Sequence, residues 1–359
     1  MNNKDSKFEL LKILAMIMIV THHLVAKNLY NVDNAIVGVT PGKLFLQIVG
    51  NFAFIGNNLF FLVSAWFLCK KEEGFSIRKT FARVWRLEKV MLFYSLGIVL
   101  TFYLLGWVSL GECANPRFFM PLSLELWWYP TAYVTFLVFY PFIQKGLKSL
   151  TKEEVKCLAI VMVVLWSVTS LLPIKWGYGA SSISNFLALY VIVFYIRNFV
   201  KNGIANYKLD ICIIGGIALA ILSIVFLDLV GIKVVMAREY SCYYIRGNWR
   251  LLPFVISLAF FLRIVNLNIK QIALINWIGS STFAIYLIHM HPFMMKYLFK
   301  ELFILENWVN SWWLPVYIIG VTSIIMGACV LIDKVRIGLF TGITRMSDAL
   351  RKSKMISAL

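Results

Sequence analysis

The chain is poor in charge, and poorest in negative charge. Only 14% of its 359 residues are Asp, Glu, Lys or Arg, and 17 acids stand against 35 Lys and Arg. With 60% hydrophobic residues and a mean hydropathy of +0.79, it lacks the polar surface that a soluble domain of this length needs. Its six cysteines form no Cys-x-x-Cys pair and no metal-ligand spacing, so they are assigned no chemistry and no metal is expected. There is no internal repeat and no separate soluble domain. A cleavable signal peptide is not expected either, because the first apolar run contains Lys12 and no small-residue cleavage site follows it. The net charge of +18 does not point to nucleic acid, since the basic residues sit in short clusters between apolar runs rather than on one face.

What is present is a series of long apolar stretches with 16% aromatic residues, a composition suited to a lipid solvent with interfacial Trp and Tyr. Runs able to cross a hydrocarbon core of about 30 Å, which takes roughly 20 helical residues, fall near 8–26, 45–68, 90–109, 124–143 and 157–173. Five more fall near 183–199, 210–230, 251–265, 272–294 and 312–332. The fold class expected is all-α: a polytopic transmembrane helix bundle of about ten helices. A single membrane domain occupies 1–332, and 333–359 form a short basic cytoplasmic tail. With the N-terminus inside, 25 of the 35 Lys and Arg fall in cytoplasmic segments, and the even span count returns the C-terminus to the same side. One outer loop resists. Residues 231–250 carry Lys233, Arg238, Arg246 and Arg250 against Glu239 alone, so either the span count fails there or the loop meets something anionic.

All four histidines lie in two places: His22 and His23 at the end of the first span, and His289 and His291 at the end of the ninth. Ionisable residues inside a membrane are costly and are functional candidates by default. Lys12 precedes His23 by eleven residues. At about 100° per residue this returns to within roughly 20° of the same face, some 16 Å further along the axis. His22 is rotated by about 80° from Lys12 and is the weaker candidate. Glu9, one turn before Lys12, is placed to pair with it. The plain alternative is that Lys12 snorkels to headgroups and the histidines brace neighbouring helices.

Arg83 and Arg86 lie three apart at the cytoplasmic mouth of the third span, where guanidinium forks can hold phosphate, or can simply flank the membrane. Trp107, Trp127, Trp128, Trp176, Trp249, Trp308, Trp312 and Trp313 fall near the outer boundary, against Trp66, Trp85 and Trp277 near the inner one. The outer excess suits a platform for stacking on sugar rings, and belt anchoring accounts for any single Trp. Glu125 and Asp228, near outer span ends, are candidates to hydrogen-bond sugar hydroxyls or to cap helices.

Several of these segments carry a resemblance. Phe8-Glu9-Leu10-Leu11-Lys12 through His23 resembles the opening span of the acyltransferase 3 family of integral-membrane acyltransferases, in which an Arg, ten residues and a His recur; here the Arg position is Lys12. Asn57-Asn58-Leu59-Phe60-Phe61-Leu62-Val63-Ser64-Ala65 is similar to the family's FFLxSG segment, with Ala65 in place of Gly. Arg83 and Arg86 match the last two arginines of the Arg-Arg-x-x-Arg motif, with Ala82 replacing the first. Leu126-Trp127-Trp128 through Tyr140-Pro141-Phe142, and Ser281-Thr282-Phe283 through His289, extend the likeness over nearly the whole chain.

The resemblance implies about ten membrane helices, an acyl-CoA donor (acetyl-CoA) at the cytoplasmic face, and an extracytoplasmic acceptor such as a surface polysaccharide. It implies catalytic roles for His23, Lys12 and His289 and donor binding at Arg83 and Arg86, while acceptor binding at Glu125, Trp127, Trp128 and Asp228 is expected from their position near the outer span ends. The setting expected is the plasma membrane of a bacterium. Lys12 keeps the family's charge but loses the planar fork of Arg. A base is needed because an alcohol is a poor nucleophile at neutral pH, and His23, with an ordinary pKa near 6.5, is the natural one. Whether it acts as base or forms an acyl-histidine stays open. The rival reading is a transporter or flippase of a lipid-linked saccharide, a class that often shows repeats and paired broken helices.

Overall fold

A computed structural model describes residues 5–28, 31–70, 76–172, 182–200 and 203–356; Trp176 lies outside them. Among the described residues there is no β-strand, and helices cover most of each of the ten expected runs. In chain order these are α1 (Ser6–Ala26), α2 (Pro41–Val49), α3 (Phe52–Lys70), α4 (Ile77–Leu104), α5 (Trp128–Ser149), α6 (Lys152–Val163) and α7 (Ser182–Phe199). There follow α8 (Asn206–Val230), α9 (Leu251–Val265), α10 (Ala273–Gly279), α11 (Thr282–His289), α12 (Pro292–Lys296) and α13 (Leu314–Ile356).

Seven helical segments among the described residues are long and apolar enough to cross a membrane, and an eighth results if one bent pair counts as a span. Of the remaining two expected spans, α5 ends in the polar run Gln144, Lys145 and Lys148, and α9 has 15 residues, fewer than the roughly 20 a straight crossing takes. The bent pair corrects the expected continuous span over 272–294. Ala273–His289 and Pro292–Trp308 meet at 79°. Pro292 has no amide hydrogen and drives its predecessor out of helical geometry, and His291 is extended at φ −62°, ψ 136°. The helix therefore stops at His289. The expected start of a span at 124 is also moved. Pro116 and Pro121 interrupt the preceding stretch and Glu125 adopts φ +52°, so α5 begins only at Trp128.

The bundle is organised around α1, which is 67% buried over its apolar window, whereas α8 at the periphery is 17% buried. Lipid solvates an apolar helix such as α8, but the ionisable groups of α1 need protein around them, and α1 is enclosed by α3, α10, α11 and α13. Two glycines permit this closeness. A Cβ on Gly56 of α3 would stand 2.7 Å from the Ala15 carbonyl oxygen, and one on Gly279 of α10 would collide with Glu9 Oε2.

The boundary expected at 332 falls inside α13, which runs on unbroken. Asp333 is fully buried and accepts hydrogen bonds from Tyr94 Oη (2.6 Å) and Arg336 Nε (2.7 Å), while Lys334 Nζ reaches Ser280 Oγ at 2.8 Å. The first turn beyond 332 is thus part of the bundle. The basic 231–250 loop meets an anion of its own chain, because Arg246 pairs with Asp33 at 2.5 Å. Arg250 lies over the Tyr243 ring and donates to the Ser170 carbonyl.

Candidate functional site

Two helix ends converge at the histidines. His23 is in the last turn of α1 and His289 is the last residue of α11, placed there by the stop at Pro292. His23 Nδ1 lies 2.9 Å from His289 Nε2, and both side chains are buried. On its other side His289 Nδ1 lies 2.5 Å from the Ile285 carbonyl oxygen. A carbonyl oxygen only accepts, so Nδ1 of His289 carries its proton and Nε2 of the neutral ring is the acceptor. His23 must then donate from Nδ1, which leaves the lone pair on His23 Nε2. The backbone of α11 thereby sets the tautomer of a residue 266 positions away. Among the described residues His23 Nε2 makes no hydrogen bond.

Around this pair lies an aromatic interior. Tyr286 has its ring 6.5 Å from His23 and 6.2 Å from Tyr129, and Trp127 lies 6.1 Å from His291, which stacks on Phe118 at 5.1 Å. The stretch before α5 folds inward to supply these groups, held by Ser95 Oγ donating to the Phe118 carbonyl at 2.8 Å. Trp127 Nε1, Tyr286 Oη and His291 Nε2 are each sealed from solvent without a hydrogen-bond partner. Buried polar groups are nearly always paired, and these three stand unpaired on the segments that meet near the histidine pair. Toward the other end of the bundle, Tyr133 stands one turn beyond Tyr129 on α5, against Phe61 and within electrostatic reach of Arg83.

A cavity of about 420 Å³ opens beside the same end of α1, lined by His22, Asp33, Gln47, Asn51, Phe54 and Arg246 among others. His22 Nδ1 is 2.5 Å from the Gly50 carbonyl, so by the same reasoning its Nε2 holds the lone pair. Behind the cavity, Lys43 and Asp228 form a fully buried ion pair at 2.8 Å. Gln47 Nε2 bridges Asp228, Ser241 and Asp33 at 3.3, 3.0 and 3.4 Å. Burial, with Asp33 beside it, pushes the Cys242 thiol up to about 12.

The residues singled out in the sequence are thus distributed over several places. His23 and His289 are brought together. Lys12 pairs instead with Glu9, Nζ to Oε1 at 2.9 Å, near the opposite end of α1. Arg83 is half-buried, while Arg86 is exposed and turns its Nε back to the Ala82 carbonyl, so the two do not form one fork. Trp127, expected in an outer platform, is 2% exposed and faces the interior; Trp128 is half-buried. The strongly exposed tryptophans are Trp312 and Trp313, away from the histidines in sequence and at the start of α13. Glu125 is exposed, its carbonyl held by Arg117. Asp228 is committed through Oδ1 to Lys43, although its Oδ2 has no partner. The sequence reading missed Asp33, Lys43 and Gln47. The signal available was Lys43, an unexplained cation just before the 45–68 run, while its partner Asp228 reads in the sequence as a sugar contact or a helix cap. Among the described residues no group of three or more His, Cys, Asp or Glu side chains is placed to hold a metal ion.

A bundle of apolar helices with a buried histidine pair at one end defines a multi-pass membrane protein. A family model described as an acyltransferase domain matches residues 5–332, and the chain belongs to the acyltransferase 3 family. No curated protein and no solved structure matches it.

Proposed function

We propose that this membrane acyltransferase moves an acetyl group from cytoplasmic acetyl-CoA to a hydroxyl of an extracytoplasmic glycan, in the plasma membrane of a bacterium. The observation that carries the reading is the tautomer of His23. Its Nδ1–H is spent on His289, and its Nε2 is left as a lone pair inside a water-poor bundle. In the reaction, His23 Nε2 takes the proton of the acceptor hydroxyl as the oxygen attacks the thioester carbonyl. The C–S bond then breaks, and the departing thiolate of CoA recovers that proton from His23. Proton and acyl group are both accounted for, and no external reductant or oxidant enters. Tyr286 Oη, on a ring 6.5 Å from that of His23, is a donor without a partner and suits the oxyanion.

The donor route is supported by the line of Arg83, Tyr133, Tyr129 and Tyr286 leading to His23. Arg83 would take phosphate at the cytoplasmic end, and the pantetheine arm would run along the tyrosines. The test is a comparison of the surface glycans of a deletion strain and its parent by mass spectrometry. Loss of an acetyl increment in the deletion supports the assignment. Unchanged glycan acetylation, with saccharide accumulating on the inner side, favours transport of unmodified substrate instead.

A further inference from the structure

We infer that the 420 Å³ cavity between α1, α2 and the 231–250 loop is the acceptor pocket, and that it takes a neutral, polyhydroxylated ring, the end of a saccharide. This rests on the acyl-transfer reading above. Three features carry it. First, the cavity adjoins the catalytic pair: His22 lines it, and the His22 and His23 rings lie 5.2 Å apart. Second, it is walled by groups with unfilled hydrogen-bonding capacity. Gln47, 2% exposed, has its amide nitrogen fixed by Asp33 and Asp228, and its Oε1 has no partner. An acceptor oxygen sealed without a donor is costly, so a sugar hydroxyl that meets Gln47 Oε1 as the lining adjusts around a bound ring relieves that cost. His22 Nε2 offers a second acceptor, and the Asn51 amide and Arg246 guanidinium add further polar atoms.

Third, the charges in and behind the pocket cancel. Asp33 is matched by Arg246 and Asp228 by Lys43, and the other polar lining groups are amides and His22. Lys27, at the end of α1, is within electrostatic reach of His22 but does not line the cavity. An anionic sugar would need a cation not already spent, and like or unmatched charges at a buried contact are heavily penalised. Phe54, 5.4 Å from the His22 ring, gives the apolar face on which the C–H side of a sugar ring can lie.

The test uses the full chain in a deletion strain complemented with the parent, Gln47→Leu or Ala26→Trp, with glycan acetylation measured by mass spectrometry in both polysaccharide and lipid-linked fractions. Ala26 lies at the exposed mouth of the cavity, so an indole there blocks entry without removing a hydrogen bond. Coenzyme A binding to each purified protein reports donor binding and folding. Both variants are expected to bind coenzyme A within twofold of the parent and to restore at least tenfold less acetylation, and in the parent the acetyl sits on a neutral sugar. Full acetylation by Ala26→Trp overturns the pocket, as does acetyl found on a uronic acid or a phosphate-bearing residue. Should Gln47→Leu lose coenzyme A binding, Ala26→Trp alone decides. A parent that neither binds coenzyme A nor restores acetylation sinks the acyl-transfer reading itself, a result distinct from the others.

Discussion

His23 and His289 are joined by a 2.9 Å contact between Nδ1 and Nε2, and the Ile285 carbonyl behind His289 fixes which of the two donates. Removing the base and removing the group that orients it therefore have different consequences. His23→Ala is expected to lower acyl transfer by about 10²–10⁴-fold, the usual worth of general-base catalysis, with membrane abundance unchanged. His289→Ala is expected to lower turnover less and to alter its pH profile while leaving the requirement for acyl-CoA unchanged. His22→Ala is expected to be milder than His23→Ala, acting on acceptor use. Acyl-transfer assays over a pH series, normalised to membrane protein, check all three. Parent-level activity in His23→Ala removes it from the mechanism.

The two arginines of α4 are expected to separate. Arg83→Gln raises the acyl-CoA concentration needed for half-maximal rate, because Arg83 is half-buried beside Tyr133. Arg86→Gln has a smaller effect, since that side chain is exposed and bonded to its own helix. Titration of acyl-CoA on each variant measures the difference. Equal donor affinity in parent and Arg83→Gln, with lower abundance, would assign Arg83 to insertion only.

Lys12→Gln tests charge against position. Glu9 is 7% exposed and packed against Gly279, so removing its cation leaves a carboxylate with little access to water. Breaking a buried pair from one side costs about 3–5 kcal/mol. Here about 1–3 kcal/mol is expected, because the Lys12 side chain is 21% exposed and partly screened. Lys12→Arg should be tolerated, and Glu9→Gln combined with Lys12→Gln should recover part of the loss. Thermal unfolding in detergent, with activity measured in parallel, reads both effects. Full activity and stability in Lys12→Gln would make the lysine a headgroup anchor.

The Lys43 and Asp228 pair is expected to matter more for stability than Lys12 and Glu9, since both partners are essentially unexposed. Lys43→Met alone should destabilise by about 3–5 kcal/mol, whereas Lys43→Met with Asp228→Leu should be much closer to the parent. The unfolding midpoints of the two single variants and the double variant form the cycle. Additive losses would show that the ions act independently.

The sequence by itself determined that the chain lives among lipid tails, where its helices lie, and which of them carry ionisable groups. These properties follow from local composition and from the helical period, which need no knowledge of neighbours. It did not reveal the break after His289, because 272–294 reads as one apolar run and the bend at Pro292 shows only in the fold. Tertiary structure decided which faces meet. The arithmetic that put Lys12 and His23 on one stripe of α1 was sound along that helix, but it carried no information on α11, which supplies the partner of His23. Trp127 looked interfacial because it falls at the outer end of the expected span 124–143, and only the inward fold of the stretch around Pro116 and Pro121 turned it into the core. Asp33, Gln47, Asp228 and Arg246 come from four separated segments, and although Asp228 and Arg246 stand out in the sequence, nothing there joins them to Asp33 and Gln47. Their pairing is a property of packing, because the cost of burying a charge without a partner is settled only when helices close on one another.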